Sequence, residues 1–196
     1  MANFTTLQEY KDAEGLQSAK EDARINALIP AVSQLVKTYC GNSIIDYYST
    51  AKTEILNIHW DTHIVQLTES PVNSISNVYE RAGLSDSYVE LTTGAYEYYF
   101  DSATDSILRT TGGASYKNWP RGPGAVKVIY TAGYDETPAD LKLAVYDLIT
   151  YYLKDEHKER QTLAGASQQN ATTTSMKNSV AFPDHIKRVL DLYKNF

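Results

Sequence analysis

Residues 126–160 constrain the fold more than any other part of the chain, because they contain the signals of a strand, a turn and a helix start in succession. β-Branched and aromatic side chains alternate with other residues over 126–130, as in a strand with one buried face. Gly133 follows where the chain must turn, and glycine accepts a positive φ without steric cost. Thr137, Pro138 and Asp140 then mark a helix start, with a capping hydroxyl, a proline at the first helical position and an approximate capping box. The segment therefore predicts a strand, a tight turn and a helix.

The predicted helix after Pro138 is apolar on one face. The residues that recur there at helical spacing are Leu141, Ala144, Val145, Leu148, Ile149 and Tyr152. A second amphipathic helix is predicted over residues 24–41, with Gly41 just past its end and Pro30 expected to kink it. A short helix ending near Gly15 precedes it, so the first 50 residues are predicted to be helical.

Between these helical regions the periodicity changes from helical to alternating. Short strand candidates, six or seven in number, follow one another between residues 52 and 130, separated by glycine, proline and polar clusters. Tyr96, Tyr98 and Phe100 are predicted to share one face of one of these strands. This spacing predicts an α+β protein: a small helical bundle built from residues 1–51 and 136–196, with an antiparallel β sandwich or barrel-like insert at 52–135.

Residues 161–181 are mostly Ser, Thr, Asn, Gln and Ala with one charge, Lys177, which predicts a mobile polar tether. Pro183 then opens a final amphipathic helix whose apolar stripe consists of Ile186, Val189, Leu190 and Tyr193. Two interpretations remain open at this point. The helix either reaches a neighbouring subunit on its tether or packs on the core of its own chain.

Composition limits the classes of function. The 196 residues carry a net charge of −6, and this lack of excess cations argues against tight binding to nucleic acid phosphates. The chain has one cysteine, Cys40, expected to be a buried structural thiol, so neither a disulfide framework nor a cysteine zinc site is predicted. His59 and His63 have an H-x-x-x-H spacing but lack the catalytic glutamate of zinc proteases. No phosphate loop, catalytic triad, signal peptide or apolar membrane span is found, so we predict a soluble protein of a reducing cytoplasm, with no enzyme activity, metal or cofactor.

The pattern V-x-V-x-Y-T-A-G-Y followed by P-x-D-L-K-x-A, over residues 126–144, resembles that of the phage head–tail connector (adaptor) family. The resemblance covers residues 126–152 well and the helix at 24–41 loosely. It implies a structural protein of the virion neck, made in the host cytoplasm, that forms a ring of twelve copies beneath the portal protein. Such a ring would extend the DNA channel, pass DNA without sequence-specific binding, and dock stopper or tail-completion proteins, with no membrane partner.

The predicted contact residues come from the two regions that this resemblance does not cover. They are Tyr96, Tyr98 and Tyr99 on the β insert, and Ile186, Val189, Leu190 and Tyr193 on the last helix. Tyrosine suits such a role because its ring packs while its hydroxyl stays hydrated, and the chain has 16 tyrosines against 4 phenylalanines. Two alternatives stay open: another phage neck or tail-completion protein, and a β-sandwich module whose tyrosines bind a glycan or peptide.

Overall fold

A computed structural model describes residues 2–113, 115–154 and 182–194 of the chain. These residues form two compact units. The first, the helical unit, comprises the described residues of 2–41 and 137–194, and the second, the β unit, comprises residues 42–136. The chain is therefore an α+β protein, as the sequence predicts.

The helical unit contains four α-helices in the described residues. They are α1 (Leu7–Glu14), α2 (Asp22–Cys40), α3 (Ala139–Leu153) and α4 (Asp184–Leu190), and a short 3-10 turn (Asp191–Tyr193) follows α4. Thr6 and Glu9 form a reciprocal capping box at the start of α1, which satisfies backbone amides that have no partner inside the helix. The second helix runs unbroken through Pro30 and ends at Gly41, which has the left-handed φ of 68°.

The apolar face predicted for α3 is confirmed, but its predicted cap is wrong. Leu141, Ala144, Val145, Leu148 and Ile149 are all buried, and they pack α3 into the helical unit. The residue at the N-cap is Pro138, which makes no side-chain capping bond. The Thr137 hydroxyl instead donates to the Phe4 carbonyl at 2.9 Å. The hydroxyl therefore joins two distant parts of the chain, a use that a local pattern does not reveal.

The β unit contains eight strands in the described residues. They are β1 (Lys52–Ile58), β2 (Ile64–Gln66), β3 (Val72–Glu80), β4 (Val89–Leu91), β5 (Tyr98–Asp101), β6 (Ser106–Thr111), β7 (Ser115–Tyr116) and β8 (Gly122–Ala132). One antiparallel sheet has the order β1-β8-β3-β4, and the other has the order β2-β6-β5 with β7 paired to β6. Apolar side chains of both sheets form one buried cluster. The arrangement is sandwich-like, and the described strands do not close into the barrel that was the other expectation.

The long strand β8 lies in the middle of its sheet and alternates as the sequence predicts. Val126, Val128 and Tyr130 are fully buried, whereas the residues between them are partly exposed. Gly133 follows this strand with a φ of 93°. A Cβ atom added to it would lie only 2.1 Å from the Ile44 carbonyl oxygen. Residues 42–51, which the sequence had assigned to the helical core, accordingly group with the β unit.

A buried ion pair connects the two sheets of the β unit. The Arg109 guanidinium on β6 donates to both carboxylate oxygens of Glu80 on β3, at 2.9 and 2.8 Å. It also donates to the carbonyls of Glu97 and Thr110 and lies over the ring of Trp119. A buried guanidinium is stable only when most of its donors are paired, and here they are.

Candidate interaction surfaces

The sheet formed by β2, β6, β5 and β7 has an apolar outer face, on which Ile64, Tyr99 and Tyr116 are exposed. Ile64, Leu108 and Tyr99 lie directly opposite one another on β2, β6 and β5, and Tyr116 on β7 lies opposite Thr110 on β6. Directly paired residues of antiparallel strands project to the same side of the sheet. Tyr99 is 61% exposed and Tyr116 66% exposed. We call Ile64, Tyr99, Leu108 and Tyr116 the outer tyrosine face.

The three tyrosines predicted as contact residues have different environments. Tyr99 belongs to the outer tyrosine face. Tyr98 is opposite Arg109 and packs against the buried cluster, and this burial raises the pKa of its hydroxyl. Tyr96 precedes the strand, in a turn with a left-handed φ of 49°, and its ring is exposed. The prediction that Tyr96 and Tyr98 share a strand face is wrong, because the strand begins only at Tyr98.

The last helix packs on its own chain. Ile186 is 1% exposed and Leu190 0%, and the Cys40 thiol of α2 lies 3.6 Å from the Leu190 carbonyl. This burial leaves Ile186 and Leu190 no surface for a neighbour while α4 stays in place, whereas Val189 and Tyr193 are half-buried. The predicted tether (161–181) lies outside the described residues.

Hydrogen bonds of tyrosine hydroxyls hold the C-terminal residues against α2 and α3. Tyr193 donates to Asp140 at 2.6 Å, which lowers the pKa of that carboxyl. Tyr39 donates to Asp191 at 2.6 Å, and burial together with this carboxylate raises the pKa of Tyr39 to about 12. These bonds explain why Tyr193, predicted as a contact residue, is only half-exposed.

The exposed side of the last helix carries residues that the apolar stripe did not include. They are Lys187, Arg188 and Leu192, of which Leu192 is 77% exposed. Arg188 and Leu192 are four residues apart and therefore lie on neighbouring turns of the same side. We call these three residues the basic edge. A search for amphipathic stripes overlooks them, because such a search selects the residues that face the core.

Titratable groups outside these surfaces have structural explanations. Burial raises the pKa of the Cys40 thiol to about 11, which fits the predicted structural role. The Tyr130 hydroxyl is buried and donates to Glu54 at 2.5 Å, and both effects raise its pKa. The His63 ring stacks on Tyr116 at 4.5 Å. Within residues 2–113, 115–154 and 182–194, no three His, Cys, Asp or Glu side chains are placed to hold a metal ion.

The model of the head completion protein family matches residues 3–196, and the chain belongs to this family. The chain is 22% identical over 197 residues to the head completion protein of Escherichia phage T5, and the match covers 96% of each chain. The family confirms the predicted structural protein of the phage head–tail region, as opposed to an enzyme.

Two solved structures share the fold over nearly the whole chain. One is from the neck of an empty GTA particle computed with C6 symmetry, with a TM-score of 0.60, 16% identity, and 98% of this chain and 90% of that chain covered. The other is from the neck of a native GTA particle computed with C12 symmetry, with a TM-score of 0.57, 15% identity, and 100% and 94% covered. The β unit is therefore part of the shared fold, although the sequence resemblance did not cover it. None of the described helices is long and apolar enough to cross a membrane.

Proposed function

We propose that the protein forms a ring of twelve copies in the phage neck, beneath the portal protein. In this role it extends the DNA channel and carries the surface on which stopper or tail-completion proteins dock. The observation that carries the proposal is the match of residues 3–196 to the head completion protein family. The number twelve is what the resemblance to the adaptor family implies, and it is supported by a neck, computed with C12 symmetry, that contains a chain of the same fold.

The charge of the chain supports a channel through which DNA slides. With a net charge of −6 the protein has no excess of cations to neutralise phosphates. Most lysines and arginines of the described residues also have a partner within the chain. Examples are the pairs Lys11–Asp22, Lys52–Glu69 and Lys142–Glu9. Cations that are already paired bind DNA phosphates weakly, so we expect the passing DNA to be held without sequence preference.

Location is tested by labelling virions with gold-conjugated antibodies raised against the purified protein. We expect label at the junction of head and tail in negatively stained particles. Label on the capsid faces or the tail tip would refute the neck assignment. Virions without primary antibody are the control for nonspecific gold.

Stoichiometry is tested by adding the full-length protein to purified portal rings and measuring the mass of the complex. We expect the mass to rise by twelve copies of the 21.9 kDa chain. Unchanged portal mass at saturating protein would refute direct docking on the portal. A phage genome with a stop codon early in this gene should yield heads without attached tails, and a plasmid copy of the gene should restore infective particles.

A further inference from the structure

We propose that neighbouring copies of this chain contact one another through the outer tyrosine face of one copy and the basic edge of the next. This inference rests on the proposed ring and names the surfaces that close it. The two surfaces lie on different units of the chain, one on the sheet of β2, β6, β5 and β7, and one on α4 and the 3-10 turn that follows it.

The outer tyrosine face has the composition of a contact surface. Its central row, Ile64, Leu108 and Tyr99, is aligned across three strands and contains no charged side chain. Tyr116 extends the apolar surface at one end, where His63 stacks on it. Contiguous apolar surface of this kind is rare on a monomer, and tyrosine is enriched where proteins meet.

Two carboxylates lie near this face. Asp101 is two residues after Tyr99 on β5, so both project to the same side of the strand at a spacing of roughly 7 Å. Glu97 lies in the turn just before β5 begins. Glu97 accepts hydrogen bonds from the backbone amide and hydroxyl of Thr92, and these lower its pKa. The face therefore consists of an aromatic centre near negative charges, and its complement is an apolar side chain beside a positive charge.

The basic edge supplies that complement. Arg188 on α4 and Leu192 in the 3-10 turn that follows are four residues apart, and both are exposed. Lys187 adds a second cation. In the described part of the chain, Lys187 and Arg188 have no ion-pair partner, whereas Lys194 and the Tyr39 hydroxyl occupy the nearby carboxylate of Asp191. Among the described residues, two adjacent cations without an ion-pair partner thus lie beside the most exposed leucine, in a chain whose net charge is −6.

A contact between unlike surfaces is the geometry that a ring requires. When one patch binds a different patch on the next copy, the contact repeats around an axis and can close into a ring, whereas a self-complementary patch stops at a dimer. Pairing two outer tyrosine faces would also bring the Glu97 and Asp101 carboxylates of both copies together, and like charges at short distance repel. The second copy therefore docks with its basic edge.

Disulfide trapping in virions tests which surfaces meet. The full-length double variant Tyr99→Cys/Leu192→Cys, incorporated into virions and treated with a mild oxidant, should give a ladder of covalent dimers and higher multimers on a non-reducing gel. The single variants should remain monomeric, because the native Cys40 is buried. The matched control is Tyr99→Cys/Leu16→Cys, since Leu16 is an exposed leucine of the helical unit outside the basic edge. A missing ladder, or an equal ladder in the control, would overturn the proposal.

A charge reversal gives an independent test that needs no cross-link. Arg188→Glu should lower the amount of the protein in purified virions at least tenfold, without changing the urea midpoint of the purified chain, because Arg188 is exposed. Lys20→Glu, at an exposed lysine outside the basic edge, should change neither the amount in virions nor the urea midpoint. Normal incorporation of Arg188→Glu would overturn the proposed contact. If antibody labels the neck but both the disulfide and the charge-reversal tests fail, the proposed contact is wrong and the neck assignment stands. If the neck is unlabelled, the proposed ring in the neck is wrong.

Discussion

Replacing Gly133 with alanine should destabilise the β unit more than the same change at a glycine of that unit where an added Cβ atom would meet open space. Gly133 has a φ of 93°, a conformation that L side chains rarely adopt. A Cβ atom would lie 2.1 Å from the Ile44 carbonyl oxygen and 2.9 Å from its carbon. Because these neighbours belong to the backbone, a side-chain rotation does not relieve the overlap.

The size of the effect follows from two contributions. A non-glycine residue at this φ costs about 2 kcal/mol of strain. Moving Ile44 away breaks the hydrogen bond in which the Tyr134 amide donates to the Ile44 carbonyl at 2.8 Å, which costs about 1 kcal/mol. We therefore expect the free energy of unfolding to fall by roughly 3 kcal/mol, which at a urea slope of about 2 kcal/mol/M lowers the midpoint by about 1.5 M.

Tryptophan fluorescence during urea unfolding measures this change, because both tryptophans, Trp60 and Trp119, belong to the β unit. Trp119 is buried and Trp60 exposed, so the signal reports mainly on the core around Trp119. Gly94→Ala is the matched control, since a Cβ there has no neighbour within 4 Å. If the urea midpoints of Gly133→Ala and of the control differ by less than about 0.3 M, the error of such fits, the reasoning is refuted.

Three further predictions concern charge and burial. Arg109→Met should lower the free energy of unfolding by about 3 kcal/mol, because the Glu80 carboxylate then keeps only its longer ion pair of 3.8 Å with Lys117. Arg121→Met, at an exposed ion pair, should cost less than about 1 kcal/mol, and urea unfolding measures both. Hydrogen bonds from Lys142 and from the Thr6 amide lower the pKa of Glu9 from 4.5 to about 2. Its ionised form therefore stabilises the fold above pH 4.5, and this contribution should disappear as the pH falls toward 2, seen as a shrinking difference between wild type and Glu9→Gln. Cys40, whose pKa is raised to about 11 by burial, should react with a thiol reagent at pH 8 only after urea is added.

Each of these predictions has a contradicting result. Equal losses for the two arginine variants would mean that burial of the Arg109 pair does not determine its contribution. A difference between wild type and Glu9→Gln that stays constant from pH 6 to pH 2, a range that brackets the pKa shift, would contradict the lowered pKa. Rapid labelling of Cys40 in the folded protein would show that its surroundings open readily.

Regular periodicity is what made the sequence informative. The alternation over Val126, Val128 and Tyr130 and the helical spacing after Pro138 predicted buried faces that the structure confirms. Such patterns work because each residue's environment follows from its neighbours in the same element. The α+β class followed from the change of period between the helical regions and the strands.

Contacts between distant residues were not predictable in this way. The Thr137 hydroxyl donates to the carbonyl of Phe4, which is far away in sequence. Residues 42–51 likewise belong to the β unit because of contacts with distant parts of the chain. The tyrosines show the same limit on a smaller scale. Whether Tyr98 or Tyr99 faces the core depends on the register in which β5 pairs with β6, and a slip of one residue would exchange the two faces.

The approach of Gly133 to Ile44 has a consequence for protein engineering. The strand-turn-helix pattern looks like a module that could be transplanted, since it is short and continuous in sequence. Its glycine, however, fits against a backbone carbonyl almost ninety residues earlier, where Ile44 itself has the unusual φ of 67°. A chimera that exchanges residues 126–160 between related proteins should therefore carry the donor's residues around 44 as well, so the smallest exchangeable unit is discontinuous.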